Sequence, residues 1–254
     1  MQWVWLTLSL GSVLSAIFPH EIGVVGKHGK MNSTIEKSSS KLLQTYTNLV
    51  VPKSWFIYFY VVGILGCLAR SSQQLFLLNG ARSLTWVMFT FQCGRRLIEC
   101  LHTLYGDSTM HGSAFLLGFL HYYLIPIEIK SIPDERVSLA WFALVGGLFL
   151  IASFSQNYCH RILDGMKRNQ GKSKTYKVPR GFLFEFVCCP HYLCEVMVYL
   201  CLWLMNPASM EMFLIFVWVL SNHIVVADFQ FEFYQRRATT SLPPHWKRLV
   251  PFIW

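Results

Sequence analysis

Two short stretches concentrate the groups that could do chemistry. In Arg95-Arg96-Leu97-Ile98-Glu99 a carboxylate follows two guanidinium groups by four and three residues, the spacing at which side chains meet on one helix face. In Pro190-His191-Tyr192-Leu193-Cys194-Glu195, a helix starting near Pro190 suits a first-turn proline. It sets His191 and Glu195 one turn apart on a shared face, able to hydrogen-bond each other or a common ligand. Ahead of it runs Tyr176-Lys177-Val178-Pro179-Arg180-Gly181, where Pro and Gly predict a turn.

Both stretches lie in or beside apolar tracts, where an ionisable group costs about 2.5–3.5 kcal/mol on insertion scales and is usually buried against protein or water. Arg95, Arg96 and Glu99 therefore read in one of two ways. They form a structural ion pair that locks the helix into a bundle, or an arginine points to a cofactor phosphate, and burial alone does not separate the two. His191 reads as an interfacial residue, whose amphipathic ring suits that depth, or as a site group. Glu195, in the opening turns of an apolar helix, needs a partner.

The elements that must position these groups are membrane spans. Of 254 residues, 54% are hydrophobic and 14% charged, and the mean hydropathy is +0.39, a profile few water-soluble domains of this size share. Apolar runs near the length needed to cross about 30 Å of hydrocarbon recur, at roughly Gln2–Phe18, Ser54–Ala69, Leu84–Leu104, Ser113–Ile129, Val137–Phe154, Val187–Met205 and Met210–Val226. The expected fold is all-α, a polytopic membrane protein of about seven transmembrane helices enclosing a cofactor and lipid pocket. The first run has no Lys or Arg ahead of it, as a cleavable signal normally would, and reads as a retained span. We see no repeat and no domain boundary: residues 1–254 read as one domain, with 84–254 as its catalytic and cofactor-binding part.

A net charge of +9 would suggest nucleic acid in a soluble protein, but here the question is where the cations lie relative to the spans. With the N-terminus outside, the inside segments Pro19–Lys53, Tyr105–Gly112, Ser155–Phe186 and Ala227–Trp254 carry 5, 0, 7 and 4 Lys or Arg, against 2, 2 and 0 opposite. The positive-inside rule then predicts a cytosolic C-terminus and no nucleic-acid partner. The polar connection Gly26–Thr47 holds the sequon Asn32-Ser33-Thr34. It faces the cytosol in this orientation and stays unmodified, so a glycan there would reverse the topology. The eight cysteines follow no disulfide framework, and most read as small packing residues. Cys188, Cys189, His191 and Cys194 invite a zinc reading, but Pro190 intervenes and no second ligand pair follows at finger-like spacing, so no metal is expected.

Taken together, several blocks resemble the steroid 5α-reductase family, and most closely its polyprenol reductase branch. They are Val51-Pro52-Lys53-Ser54-Trp55-Phe56 with Phe59-Tyr60, Arg95-Arg96-Leu97 with Glu99, His160-Arg161-Ile162-Leu163, Tyr176–Gly181, Cys188–Glu195, Phe233-Tyr234 and Val250-Pro251-Phe252-Ile253. They run from the second span to the end of the chain. The resemblance implies a seven-helix reductase of the endoplasmic reticulum membrane in which NADPH enters from the cytosol and passes hydride to an activated double bond. The implied acceptor is the α-isoprene unit of a long polyprenoid in dolichol synthesis for protein N-glycosylation, taken as the alcohol or as its aldehyde. The aldehyde suits the chemistry, because its carbonyl makes the β-carbon electrophilic and a positioned donor can protonate the resulting enolate. The resemblance is silent on oligomeric state, and a monomer is compatible with it.

Carried over position by position, the family's nucleotide contacts fall on Gln156 and His160, Lys167 or Arg168, Tyr176 and Lys177, His191, and Tyr234, and Arg96 matches the arginine of the third span. Cations suit the phosphates, an aromatic suits stacking, and amide or imidazole groups suit the carboxamide. Glu195 matches a glutamate that helps hold the nicotinamide end, so the catalytic candidates are Tyr58, His191 and Glu195. The chain departs from the steroid enzymes, which grip the substrate carbonyl with a glutamate near the second span and a tyrosine in the third. Here Lys37–Arg70 contains no acid and Cys93 stands at the tyrosine position. It departs from the polyprenol branch where Tyr58, Gln230 and Glu232 replace histidines. Tyr58 reads as a proton donor or as an anchor in the interfacial aromatic belt. The rival readings are reduction of steroid 4-ene-3-ones or enoyl thioesters, S-adenosylmethionine-dependent isoprenylcysteine methylation, and a non-catalytic transporter, whose broken-helix repeats the sequence lacks.

Overall fold

Every apolar segment expected to span folds as a helix. The computed structural model describes residues 2–17, 49–71, 80–132, 135–170 and 176–251. Its helices are α1 (Gln2–Ile17), α2 (Phe56–Ser71), α3 (Ala81–His102), α4 (Gly112–Ser131), α5 (Leu139–Gln170), α6 (Pro190–Leu204) and α7 (Met210–Arg237). Local sequence sets several of their starts. Pro190 occupies the first turn of α6, where its missing N–H costs nothing. The Ser209 hydroxyl caps α7 by accepting from the Met212 N–H at 3.3 Å, and His111 caps α4 by accepting from the Ser113 N–H at 3.3 Å. The turn expected before α6 is present, with Gly181 at φ +90°, a backbone conformation that favours glycine. The sequon at Asn32, the whole connection Gly26–Thr47, residues 171–175 of the Lys-rich loop and the closing Phe252-Ile253 lie outside the described residues.

Two boundaries differ from expectation. The spans expected to end at Phe154 and Val226 continue as helix to Gln170 and Arg237, because hydropathy marks where lipid contact ends, not where the helix does. By length and apolarity, Gly112–Lys130, Leu139–Arg168 and Met210–Arg237 are each sufficient to cross a membrane, and Pro190–Leu204 is a shorter apolar helix. Helices α1 and α2 have 16 residues each, about 24 Å at 1.5 Å per residue, and α3 carries Arg82, Arg95, Arg96 and Glu99. Large apolar side chains such as Leu65, Leu68, Val87, Ile151 and Phe154 are exposed on the outer surface, the inverse of a soluble domain and the form a lipid-facing surface takes. The protein is a helical, polytopic membrane protein.

Helix pairs α1–α7, α5–α6, α2–α4, α2–α3 and α6–α7 pack most extensively. Close approach of α2 to α4 needs glycine: a Cβ on Gly118 would lie 2.7 Å from Phe59 Cζ. At one end of the bundle, β1 (Val50–Pro52) pairs antiparallel with β2 (Thr109–His111). At this same end the tail folds back on the segment before α6. The Thr239 N–H donates to Tyr176 O at 3.0 Å, the Cys188 N–H to Lys247 O at 2.8 Å, and Trp246 Nε1 to Phe184 O at 2.6 Å. The other end is closed by the Ala81 N–H donating to Glu135 O at 2.8 Å and Trp141 Nε1 to Leu204 O at 2.9 Å.

Candidate functional site

The polar groups of α3 and α5 form a ladder between two parallel helices. On α3, Gln92, Arg95, Arg96, Glu99 and Thr103 follow one another at helical spacing, and Ser153, Gln156, Asn157, His160 and Asp164 do so on α5. The two rows meet across the interface. Gln92 Nε2 donates to Gln156 Oε1 at 2.9 Å and Arg95 Nε to Ser153 Oγ at 2.8 Å. Asn157 Nδ2 donates to Glu99 Oε1 at 2.6 Å and Thr103 Oγ1 to Asp164 Oδ2 at 2.8 Å. Glu99 pairs with both arginines at once. Arg96 Nη1 and Glu99 Oε2 both reach His160 Nδ1, at 2.7 and 2.8 Å. A neutral ring can accept from the first or donate to the second through that nitrogen.

Helix α6 joins this ladder at its start. Glu195 is buried and accepts from Gln92 Nε2 at 3.1 Å and from Gln156 Nε2. Gln156 Nε2 also donates to the carbonyl of His191 at 3.3 Å. His191 and Glu195 share a face, as their spacing requires, but Glu195 finds its partners across the helix interface and not in the imidazole. Nδ1 of His191 is buried without a partner among the described residues. Glu99 and Glu195 together balance the charges of Arg95 and Arg96. The arginine cluster is thus a pair of ion pairs within α3 that hydrogen-bonds across to α5, and Arg96 both holds Glu99 and lines a cavity.

A cavity of about 500 Å³ lies against this network, within the range of small-molecule and cofactor sites. Its polar pole is formed by Arg96, Gln156, His160, His191 and Glu195. Its other pole is largely aromatic and aliphatic: Phe56, Phe59, Tyr122, Leu117 and Trp218, with residues of α1 also contributing. Tyr60 stands between the two, and its hydroxyl accepts from Arg96 Nε at 3.1 Å.

Four of the candidate nucleotide contacts, Arg96, Gln156, His160 and His191, meet in this cavity, as does Glu195. The others lie at the basic end. Lys167 and Arg168 are exposed near the C-terminus of α5, where Lys167 meets Asp164 and Arg168 donates to His102 O at 3.2 Å. Lys177 is exposed. Tyr176 packs edge-on against Phe233 at 5.0 Å, and Tyr234 against Trp246 at 5.9 Å. Tyr58 is not brought to the cavity. It is 49% exposed and packs on Trp55, while Tyr60, two residues on and so on the opposite face, lines it. Cys93 is fully buried. Among the described residues no group of three His, Cys, Asp or Glu could hold a metal ion.

Several lining residues went unnoticed in the sequence: Tyr60, His121, Tyr199, Asn222 and His223. His121 and His223, single histidines within apolar helices, carried a usable signal, since an intramembrane ionisable residue is a site hypothesis by default. The stripe on α5 carried another, its period of three to four residues continuing past the apolar run.

Comparison with known proteins places the chain among membrane-lipid and steroid reductases by sequence. The sequence model of the 3-oxo-5-alpha-steroid 4-dehydrogenase family matches residues 109–254. The polyprenal reductase of Danio rerio is 28% identical over 270 residues, covering 89% of this chain and 85% of that protein. That of Saccharomyces cerevisiae is 28% identical over 238 residues, with the same two coverages. The polyprenal reductase of Caenorhabditis elegans is 25% identical over 302 residues, covering 98% of this chain and 93% of that protein.

Proposed function

This chain belongs to the 3-oxo-5-alpha-steroid 4-dehydrogenase family, and we propose that it is an NADPH-dependent polyprenal reductase, acting on the α-isoprene double bond in dolichol synthesis. The observation that carries the reading is the single cavity whose polar pole suits a nicotinamide and whose apolar pole suits an isoprenoid. Relatives named polyprenal reductase across most of their length support the substrate.

The residues fit the nucleotide. His191 Nδ1 is a buried nitrogen without a partner among the described residues, and the Glu195 carboxylate one turn on, held by Gln92 and Gln156, offers an acceptor to a carboxamide. Arg95 and Arg96 are already neutralised by carboxylates, so the phosphates call on the exposed Lys167, Arg168 and Lys177, with Tyr176 and Tyr234 flanking them. When bound, the nucleotide supplies a hydride. The ladder fixes Glu195 and Gln156 in one arrangement, so their orienting work costs little at the moment of reaction. Aromatic side chains of the apolar pole bury the isoprenoid and exclude water. Addition at the β-carbon of the aldehyde gives an enolate, and its α-carbon needs a proton. Tyr60 carries that proton: its oxygen accepts from Arg96, which leaves its own O–H free for the cavity and stabilises the phenolate that follows.

We assign the protein to the endoplasmic reticulum membrane with its C-terminus cytosolic, on the strength of the cation asymmetry and of the gathering of the Lys-rich segment and tail at one end of the bundle. The test is to incubate the purified protein with NADPH and polyprenal or polyprenol and follow the lipids by mass spectrometry. The expected result is a gain of two hydrogens by the aldehyde in preference to the alcohol. Turnover of neither lipid defeats the reading, and a glycan on Asn32 reverses the orientation.

A further inference from the structure

One polar pair inside the cavity has no part in the reaction as described so far. His121 projects from α4 and Tyr199 from α6, and His121 Nε2 lies 2.8 Å from the Tyr199 hydroxyl. Both side chains are buried and both line the cavity. Tyr199 follows His191 and Glu195 at successive intervals of four. The three form one column on the inner face of α6, so the hydroxyl lies about one turn, roughly 5–6 Å, deeper along the helix than the Glu195 carboxylate. That is the isoprenoid side of the nicotinamide pocket.

Proton counting shows what this pair offers. A neutral imidazole carries one N–H and a phenol one O–H, and a single hydrogen bond between them uses one proton and leaves one. Adding the hydroxyl of Tyr122, which also lines the cavity, adds one proton and at most one bond, so the surplus remains. Its position follows from His121 Nδ1, which is buried without a partner among the described residues. A buried N–H without an acceptor is the rarer and costlier defect, and an unmet lone pair the milder one. The proton therefore sits on Nε2 and is donated to Tyr199, Tyr122 donates to the same oxygen, and the Tyr199 O–H is left as the donor. The imidazole itself is fixed, its ring edge-on to Trp5 at 5.6 Å, and Trp5 is tied to Glu128 through Nε1 at 2.9 Å.

We propose that the Tyr199 hydroxyl, oriented by His121, grips the aldehyde oxygen of the substrate, taking the place of the carbonyl-gripping pair for which this chain has no acid on α2 and only Cys93 on α3. The inference rests on the reading of the protein as a polyprenal reductase. In the balanced step, hydride from the reduced nicotinamide joins the β-carbon and the double-bond electrons move through the carbonyl carbon onto oxygen. Tyr199 stabilises that charge without giving up its proton. Return of the electrons then draws the Tyr60 proton onto the α-carbon, restores the carbonyl, and leaves a tyrosinate that water reprotonates. Tyr199 touches the reacting group; His121 is a positioning residue.

The test uses the full chain in lipid nanodiscs, measuring NADPH affinity, kcat and KM for polyprenal, and inhibition by polyprenol. Tyr199→Phe is expected to keep its nucleotide affinity while kcat falls about 100-fold to 1,000-fold, as on loss of one oxyanion donor. It should also lose its preference for binding aldehyde over alcohol. His121→Leu is expected to lose kcat similarly, and His121→Gln, whose amide keeps a donor toward Tyr199, to recover at least about tenfold of that loss. Wild-type kcat in Tyr199→Phe overturns the inference while leaving the reductase reading intact. A His121→Gln no better than His121→Leu also overturns it, and this arm decides the matter if Tyr199→Phe fails to fold. A wild-type protein that neither binds NADPH nor reduces polyprenal overturns the reductase reading, and the inference with it.

Discussion

Glu99 is the carboxylate that ties the arginines into the interhelical ladder, meeting Arg95 and Arg96 on its own helix and Asn157 and His160 on α5. Its side chain is 10% exposed, against 9% for Arg95 and 17% for Arg96. Glu99→Gln removes the charge at nearly constant volume and leaves two guanidinium groups with only Glu195 to balance them. Removing one partner from a buried ion pair costs about 3–5 kcal/mol. The amide oxygen retains one hydrogen bond, which places the expected loss at the lower end, about 3 kcal/mol. For a chain of this size, that lowers the thermal midpoint by roughly 6–12 °C. The internal control is Arg236–Glu232, whose side chains are 70% and 39% exposed. Such a pair contributes about 0–1 kcal/mol, so Glu232→Gln should move the midpoint by no more than about 4 °C. Thermal unfolding of purified protein in micelles, followed by circular dichroism, reads both. The double variant Arg96→Gln with Glu99→Gln should regain part of the loss, because it removes an orphaned cation along with its partner. A Glu99→Gln midpoint no lower than that of Glu232→Gln would refute the claim that these charges are buried and mutually dependent.

His191→Ala and Glu195→Ala should each lower turnover by at least about tenfold through lost orientation, and near-normal kinetics in both would remove them from the site. Tyr60→Phe should lower kcat by at least about tenfold as a proton donor is lost, with Tyr58→Phe close to wild type; the opposite order in steady-state assays would return the donor to the outer face of α2. NADPH at about 100 times its Kd should stabilise the protein by about 2.7 kcal/mol, and NADH at the same concentration by less. Equal shifts of the thermal midpoint would contradict the roles given to Lys167, Arg168 and Lys177. Gly118→Ala, whose Cβ would stand 2.7 Å from Phe59 Cζ, should cost about 1–3 kcal/mol by overpacking, and an unchanged midpoint would mean that α2 and α4 part without penalty.

What the sequence disclosed, and what it withheld, follows from how far each relation reaches along the chain. Glu99 with the arginines, and His191 with Glu195, were legible because the spacing of groups on one helix already dictates the face they share. That Tyr60 lines the cavity where Tyr58 was the candidate was not, since α2 is apolar all round and no polar face marks which side turns inward. His121 and Tyr199 are 78 residues apart in the chain, and only the assembled bundle brings them together. The end of α5 was misjudged because a helix leaving the hydrocarbon does not stop if its next turns have partners, and here Gln156, Asn157, His160 and Asp164 find theirs on α3. That pairing also bears on the two readings of the arginine cluster. A cation meant for a phosphate would keep its charge available, whereas both arginines here pair with Glu99. The hydrogen bonds around that pairing fix α3, α5 and the first turns of α6 relative to one another, and those three elements carry the groups that would hold the nicotinamide. A misplacement of about 1 Å at a reacting centre can cost about 100-fold in rate, so a charge-balanced ladder between these helices contributes to catalysis by holding distances, even where none of its charges touches the nucleotide.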